Sequence, residues 1–473
     1  MRVFLIWADK GPLMKNLMEK LRDNSHEVMY WVGSGGGEKD KTESTIYHDF
    51  GLALGNIPPK EFSLSDFPPP DDCLIKKMYR TESIVLTMMN KRYDKMGMDE
   101  RKHLYYNMLG YWHGIINKFK PEAIIFSDIP HSVFNYIIYD LAKLLRIKTF
   151  MFDDTLVHDR ALYYNDFWQG SVALQEEIEK NQGKNYTLED LSPDLQEYYK
   201  LQTEAGCDAT PFYRKKDEQI FSLKNRIFFK IKLSFKYLKD FSLLRRASIY
   251  VYKSLSDNLQ KEYKSVQTEP DFNKKYIYAP LNYQPESTTC PQGDMFVDQI
   301  LMIEILSAAL PEDWVIYVKE HPTQIYSRGI NYFSSRYRGY YRKIASLKNV
   351  YLIPIGTDTF TLLNKSQAVA TVTGTAGWEA AFRLKPALIF GYPRYRDCPG
   401  LFKVGNVASC QKAIKEIRFG FKITKQEIIN YLKCFDKATV HGYIDTGIAQ
   451  SSKFNREQSM DNLIKIIIKE LKK

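Results

Sequence analysis

Ala368-Val369-Ala370-Thr371-Val372-Thr373-Gly374-Thr375-Ala376-Gly377-Trp378-Glu379 decides how this chain reads. A short apolar strand, Ala368–Ala370, enters hydroxyl and glycine residues and then a helical stretch, Thr375–Leu384, which is the βα unit of a parallel sheet. Backbone N–H groups, Thr hydroxyls and a helix N-terminus converge there, where a phosphate would be held. The same residues also suit a Thr N-cap with glycines for tight strand–helix packing. Glu379 falls in the first helical turn, where a carboxylate complements the dipole and is able to take a ribose hydroxyl.

Working outward, Tyr276–Ala279, Val315–Val318, Val350–Ile353 and Ala387–Phe390 read as further strands, with Phe296–Leu310 helical between them. They predict a doubly wound domain. Two of its strands end in polar groups. Lys319-Glu320-His321-Pro322 places a cation, an acid and an imidazole at one strand's carboxyl end, and Leu281-Asn282-Tyr283-Gln284-Pro285-Glu286 places an amide and a carboxylate at another. On residue types alone the first reads rather as a turn with a capping His and solvated charges, and the second as a turn former.

The first 150 residues repeat the pattern, with strands at Val3–Trp7, Glu27–Val32, Ala123–Phe126 and Thr149–Phe152. Polar turns follow three of these, and in open parallel sheets ligands gather at such strand ends. Asp128 and His131 occupy one turn and the paired acids Asp153 and Asp154 another, so that with at least one carboxylate of the pair three ionisable groups are expected to meet at adjacent strand ends. A carboxylate there serves as base or nucleophile in group transfer; the bland alternative is an acidic N-cap pair. The expected organisation is an N-terminal Rossmann-like domain over 1–209, a basic helical insert over 210–270, a C-terminal Rossmann-like domain over 271–456 and an amphipathic helix over 457–473. Two such domains facing across a cleft make the GT-B architecture, an outline shared by epimerases and periplasmic-type binders.

Composition narrows the classes. At 473 residues, 44% hydrophobic and 26% charged, the chain is long enough for two or three ordinary cores and is neither collagenous nor disordered. Its six cysteines form no C-x-x-C pair, so no zinc site or disulfide framework is expected, and a reducing cytoplasm fits. No Asp-x-Asp, P-loop, G-x-G-x-x-G, H-E-x-x-H or G-x-S-x-G motif occurs, which removes the usual sequence support for metal-dependent sugar transferases, NTPases, dinucleotide oxidoreductases, zincins and α/β-hydrolases.

Tyr317-Val-Lys-Glu-His-Pro322 paired with Thr373-Gly-Thr-Ala-Gly-Trp-Glu379, and preceded by Leu281–Glu286, resembles the bacterial capsule polysaccharide biosynthesis family, which includes the Kdo (3-deoxy-manno-octulosonic acid) transferases. More distantly it resembles bacterial sialyltransferases, GT-B enzymes that use CMP-activated sugars without metal. The resemblance implies a phosphate-contacting and acid role for His321, a phosphate cradle at Thr373 and Thr375, and a base at Asp154 with Asp153 beside it. Thr155 stands where those sialyltransferases have Gly. The donor side then comprises Lys319, Glu320, His321, Pro322, Thr373, Gly374, Thr375, Glu379, Gln284 and Glu286, the acceptor side Asp128 and His131. The expected reaction moves a sugar, a 3-deoxy-ulosonic acid such as Kdo, from CMP to a surface glycan or glycolipid, with no metal and no cofactor beyond the donor.

An NDP-hexose or a CDP-polyol donor fits the same fold. The net charge of +11 suggests a third reading, a polyanion-binding protein, but 14 Lys/Arg against 5 Asp/Glu between Arg214 and Lys264 account for +9 of it. That segment, with Phe221, Leu223, Ile227, Phe228, Ile231, Phe235, Leu238, Leu243 and Leu244 at helical spacing, is expected to pack on a domain or to lie on an anionic membrane. The expected location is the inner face of the membrane, held peripherally, with no nucleic-acid partner.

Overall fold

The computed structural model describes residues 1–204, 248, 252–253, 255–449 and 451–473. Thirteen strands are described: β1 (Arg2–Ile6), β2 (Glu27–Gly33), β3 (Ile46–Asp49), β4 (Ala123–Phe126), β5 (Lys148–Asp154), β6 (Arg160–Tyr164), β7 (Lys275–Pro280), β8 (Trp314–Lys319), β9 (Val350–Leu352), β10 (Ala368–Thr371), β11 (Ala387–Ile389), β12 (Leu401–Lys403) and β13 (Val440–His441). They form two sheets, ordered β13-β6-β5-β4-β1-β2-β3 and β12-β11-β10-β7-β8-β9. The second is wholly parallel and the first is parallel from β3 to β5. In each, the first strand of the series lies beside the fourth, the doubly wound order whose direction reverses at a switch point. The doubly wound, two-unit part of the GT-B expectation is borne out.

The strands read as near-continuous apolar runs because both sheet faces are covered. In the second sheet Ile277, Ala279, Ile316, Val318, Ala370 and Leu388 pack into one core, while Tyr276, Tyr278, Val315, Tyr317, Val369 and Ala387 pack into another on the opposite face. Alternation along each strand produces that split.

The chain divides into two compact units, Met1–Tyr186 with Cys290–Asp294 and Asn430–Lys473, and Thr187–Thr289 with Met295–Ile429. This differs from the boundaries expected at 209, 270 and 456, since the chain rejoins the first sheet well before residue 456. There β13 pairs antiparallel with β6, Val440 opposite Ala161 and His441 opposite Arg160. Buried Arg160 reinforces the junction, donating to Asp436 Oδ1 (2.8 Å) and Thr439 Oγ1 (2.8 Å). The last helix, Arg456–Leu471, is capped by Asn455 and buries Met460, Leu463, Ile464, Ile467 and Leu471 against Val3, Leu5 and Leu17 of the same unit. Burial of each such side chain is worth about 1.5–3 kcal/mol as an upper bound.

Most of the expected basic insert, including all of its apolar set from Phe221 to Leu244, lies outside the described residues. Its far end, the helix Leu259–Val266, inserts Leu259 and Tyr263 into the second unit's core. Among the described residues no helix is long and apolar enough to cross a membrane.

Candidate functional site

In the second unit the switch point lies between β7 and β10, and the residues leaving these strands meet there. Asn282, two residues beyond β7, joins both threonines of the β10 turn: Thr371 Oγ1 donates to Asn282 Oδ1 (3.2 Å) and Asn282 Nδ2 donates to Thr373 Oγ1 (3.3 Å). Thr373 in turn donates to Thr288 O (2.6 Å), and the Gly374 N–H donates to Thr371 Oγ1 (3.1 Å). A Cβ on Gly374 would stand 2.8 Å from Thr371 Oγ1, so this turn requires glycine. Tyr395 closes the other side by donating to Gly374 O. Thr375 donates to Glu379 Oε1 (3.0 Å), and Glu379 is buried. The hydroxyl protons of Thr371 and Thr373 are thus committed to the segment after β7, and that of Thr375 to Glu379. That sharpens the phosphate-cradle expectation: side-chain hydroxyls here shape the loop first.

The β8 end builds the rest. Glu320 and Arg336 are fully buried, each at 0% exposure, and pair through Arg336 Nε to Glu320 Oε2 (2.5 Å) and Arg336 Nη2 to Glu320 Oε1 (3.2 Å). Burial opposes the guanidinium charge, but the Glu320 carboxylate outweighs it and holds the Arg336 pKa above its ordinary value. Tyr341 Oη also donates to Glu320 Oε2 (2.7 Å), and the His321 N–H to Glu320 Oε1 (2.7 Å). The Glu320 carboxylate is therefore an internal brace, where a donor contact was expected. Gln284 is also internal, accepting from Arg336 Nη1 (2.6 Å) and Gln299 Nε2 (2.8 Å). Lys319 turns away from the network to Thr357 O (2.5 Å) and Thr359 Oγ1 (2.8 Å).

His321 is the half-buried N-cap of the helix Pro322–Arg328, with Pro322 at the first helical position, where a missing N–H costs nothing. Its ring lies 5.7 Å from that of Tyr283. Glu286 is exposed and accepts from Thr288 Oγ1 (3.1 Å). The structure thus joins Glu320, His321, Gln284, Thr373 and Gly374 in one network and pairs Thr375 with Glu379 alongside; Lys319 bonds Thr357 and Thr359, and Glu286 bonds Thr288, whose carbonyl accepts from Thr373. Arg336, Asn282, Gln299, Tyr341 and Tyr395 complete the site without having been singled out as site residues. Asn282 alone carried a signal, its place directly after a strand.

The first unit's strand ends are arranged differently. Asp154 Oδ1 accepts from the Ile444 N–H (2.9 Å) and Asp154 Oδ2 from the Asp445 N–H (2.8 Å), so this carboxylate anchors the chain leaving β13. Asp153 is buried and, by strand alternation, faces the other side of β5. Asp128 and His131 face one another beyond β4: His131 Nδ1 lies 3.5 Å from Asp128 Oδ2 and donates to Ile129 O (2.8 Å). A carbonyl oxygen only accepts, so Nδ1 carries a proton, and the nitrogen left to take part in proton transfer is Nε2. Their side chains are 43% and 29% exposed, open enough to meet a ligand. Among the described residues no group of three His, Cys, Asp or Glu is arranged to hold a metal ion.

Two doubly wound units, one with a polar network built at its switch point, define a Rossmann-like α/β protein. Residues 231–420, which contain that network, match the family model described as capsule polysaccharide biosynthesis protein, and the resemblance carried by the motifs is borne out. The match supports a role in capsule polysaccharide synthesis. A search of curated proteins gave no match. Similar solved structures include a UDP-GlcNAc 2-epimerase from Methanocaldococcus jannaschii, at 12% identity and TM-score 0.25 over 99% of each chain. They also include two from Thermosulfurimonas dismutans KpsC: the β-Kdo 2,7 transferase, at 12% identity and TM-score 0.34 over 75% of this chain and 88% of that one, and the β-Kdo 2,4 transferase, at 14% and 0.29 over 73% and 87%.

Proposed function

We propose that this protein is a glycosyltransferase of surface polysaccharide synthesis that takes a sugar, a 3-deoxy-ulosonic acid such as Kdo, from a CMP donor to a glycan or glycolipid acceptor. The observation that carries the reading is the hydrogen-bonded chain that runs from His321 through Glu320, Arg336 and Asn282 to Thr373, beside the switch point of the unit that holds the family match. In this reading the second unit binds the nucleotide. His321 hydrogen-bonds the departing phosphate and stabilises the charge it gains as the glycosidic bond breaks. The acceptor hydroxyl loses its proton to a base in the first unit.

Geometry favours His131 for that base over the acid pair: Nε2 is the nitrogen left to take the proton, and Asp128 steadies the imidazolium that forms. Asp154 has both oxygens on backbone N–H groups and Asp153 is buried. No metal is required in this mechanism, and turnover is expected to survive EDTA. The basic segment 214–264 is assigned to anionic lipid on the inner membrane face, the surface where a lipid-linked acceptor would lie. Sedimentation with liposomes containing or lacking anionic lipid tests that assignment. Titration calorimetry with CMP, CDP, UDP and GDP tests the donor: CMP is expected to bind clearly tightest, and a preference for UDP or GDP would replace this donor with an NDP-hexose.

A further inference from the structure

Arg336 has five N–H donors, and the structure uses all five. Nε and one Nη2 hydrogen go to the Glu320 carboxylate, the other Nη2 hydrogen to Asn282 O (3.1 Å), and the two Nη1 hydrogens to Gln284 Oε1 (2.6 Å) and Ser335 O (2.8 Å). Its guanidinium also lies 4.5 Å from the Tyr340 ring centroid. Two of these partners, Asn282 and Gln284, follow β7, and Glu320 follows β8. One further bond reaches the other two elements of the site. Asn282 holds Thr371 at the end of β10 and Thr373 beyond it, and Glu320 holds the His321 N–H.

We propose that Arg336 is the positioning residue of this site: a single buried fork sets the β7, β8 and β10 ends against one another and thereby holds His321 and the Thr373 turn in working geometry. The inference deepens the proposed function and rests on it. The support extends outward. Glu262 accepts from the Gly339 N–H and the Tyr341 N–H (2.9 Å each), fixing the start of the helix Tyr340–Ala345, which places Tyr341 on Glu320 and begins four residues after Arg336. Lysine cannot substitute, because its three donors radiate from one atom and do not span Glu320, Gln284 and Asn282 together.

Buried ion pairs are often purely structural, so the test must separate positioning from stability. Arg336→Lys is compared with Ile414→Ala, a core substitution in the same unit, at a temperature where circular dichroism shows both fully folded. Arg336→Lys is expected to lose roughly 100-fold in kcat/KM, mainly in kcat, because a displacement of about 1 Å has that cost. CMP affinity should weaken by about tenfold, and Ile414→Ala should keep both values within about threefold. Wild-type kcat and CMP affinity in folded Arg336→Lys would overturn the proposal.

Should Arg336→Lys fail to fold, Tyr341→Phe removes one bond to Glu320 and keeps the ring. A roughly 3–10-fold fall in kcat is then expected, and an unchanged kcat overturns the proposal. Wild-type protein that binds UDP in place of CMP would defeat the donor reading alone. The same Arg336→Lys comparison made with UDP then decides the role of Arg336.

Discussion

The two sheets share a strand order, yet their carboxyl ends are furnished in opposite ways. In the second unit the polar groups are welded around one buried guanidinium, every donor used. In the first they stand apart: Asp128 with His131 on the open edge, Asp154 on a neighbouring backbone, Asp153 within the sheet. Topology therefore decides where side chains gather, and the local partner set decides whether they are scaffold or reagent.

The sharpest way to break that comparison is Glu320→Ala, which leaves the Arg336 charge buried without its carboxylate. A loss of about 3–5 kcal/mol is expected in urea unfolding. An unchanged midpoint would mean that Glu320 is free to meet a ligand, as its place in the sequence suggests.

Acid should separate the units next. His48, buried in the first unit, bonds Tyr30 Oη (2.8 Å) and Ile57 O (2.9 Å). Burial lowers its pKa from 6.5 to about 4, against a smaller raising effect from the Ile57 carbonyl. Between those values the unfolded chain binds the proton and the folded one does not, so stability falls as pH drops from 6.5 towards 4 and levels off below. The loss amounts to about 3 kcal/mol, and His48→Gln should flatten the dependence in unfolding midpoints measured from pH 7 to 4.

Catalysis sharpens the same contrast. His321→Ala is expected to lower kcat by about 100-fold in a protein that stays folded, since the Glu320 carboxylate holds His321 through its backbone N–H, which alanine keeps. Near-normal turnover would remove His321 from the chemistry. Asp154→Asn has the smallest effect: about 1–2 kcal/mol of stability, because an amide replaces one of two accepting oxygens, and turnover within about threefold. Collapse of turnover in Asp154→Asn would return the base role to the acid pair.

What the sequence reveals follows from these physics. Strand ends are legible where apolar runs stop and polar turns start, as at Asp128, His321 and Thr373, whereas β5 runs on through Asp153 and Asp154, which pair with Leu162 and Ala161 of β6. Roles are less so. Glu320 reads as a ligand because acids are rarely buried, and only a partner 16 residues onward, in a segment with three other arginines and no periodic signal, reverses that reading. β13 is two residues long, too short for any pattern to register, and so the chain's return to the first sheet is invisible before the structure.

That return sets an order of events on the ribosome. The first sheet receives β13 and the helix Arg456–Leu471 only after the whole second sheet has been synthesised, so its face around Val3, Leu5 and Leu17 must wait for Met460, Leu463 and Ile467. The second unit is the one able to finish first, and the first is the one in need of shelter during translation. Release at residue 429 would leave β6 as a bare edge beside an uncovered apolar face, a species fit for pairing with other chains.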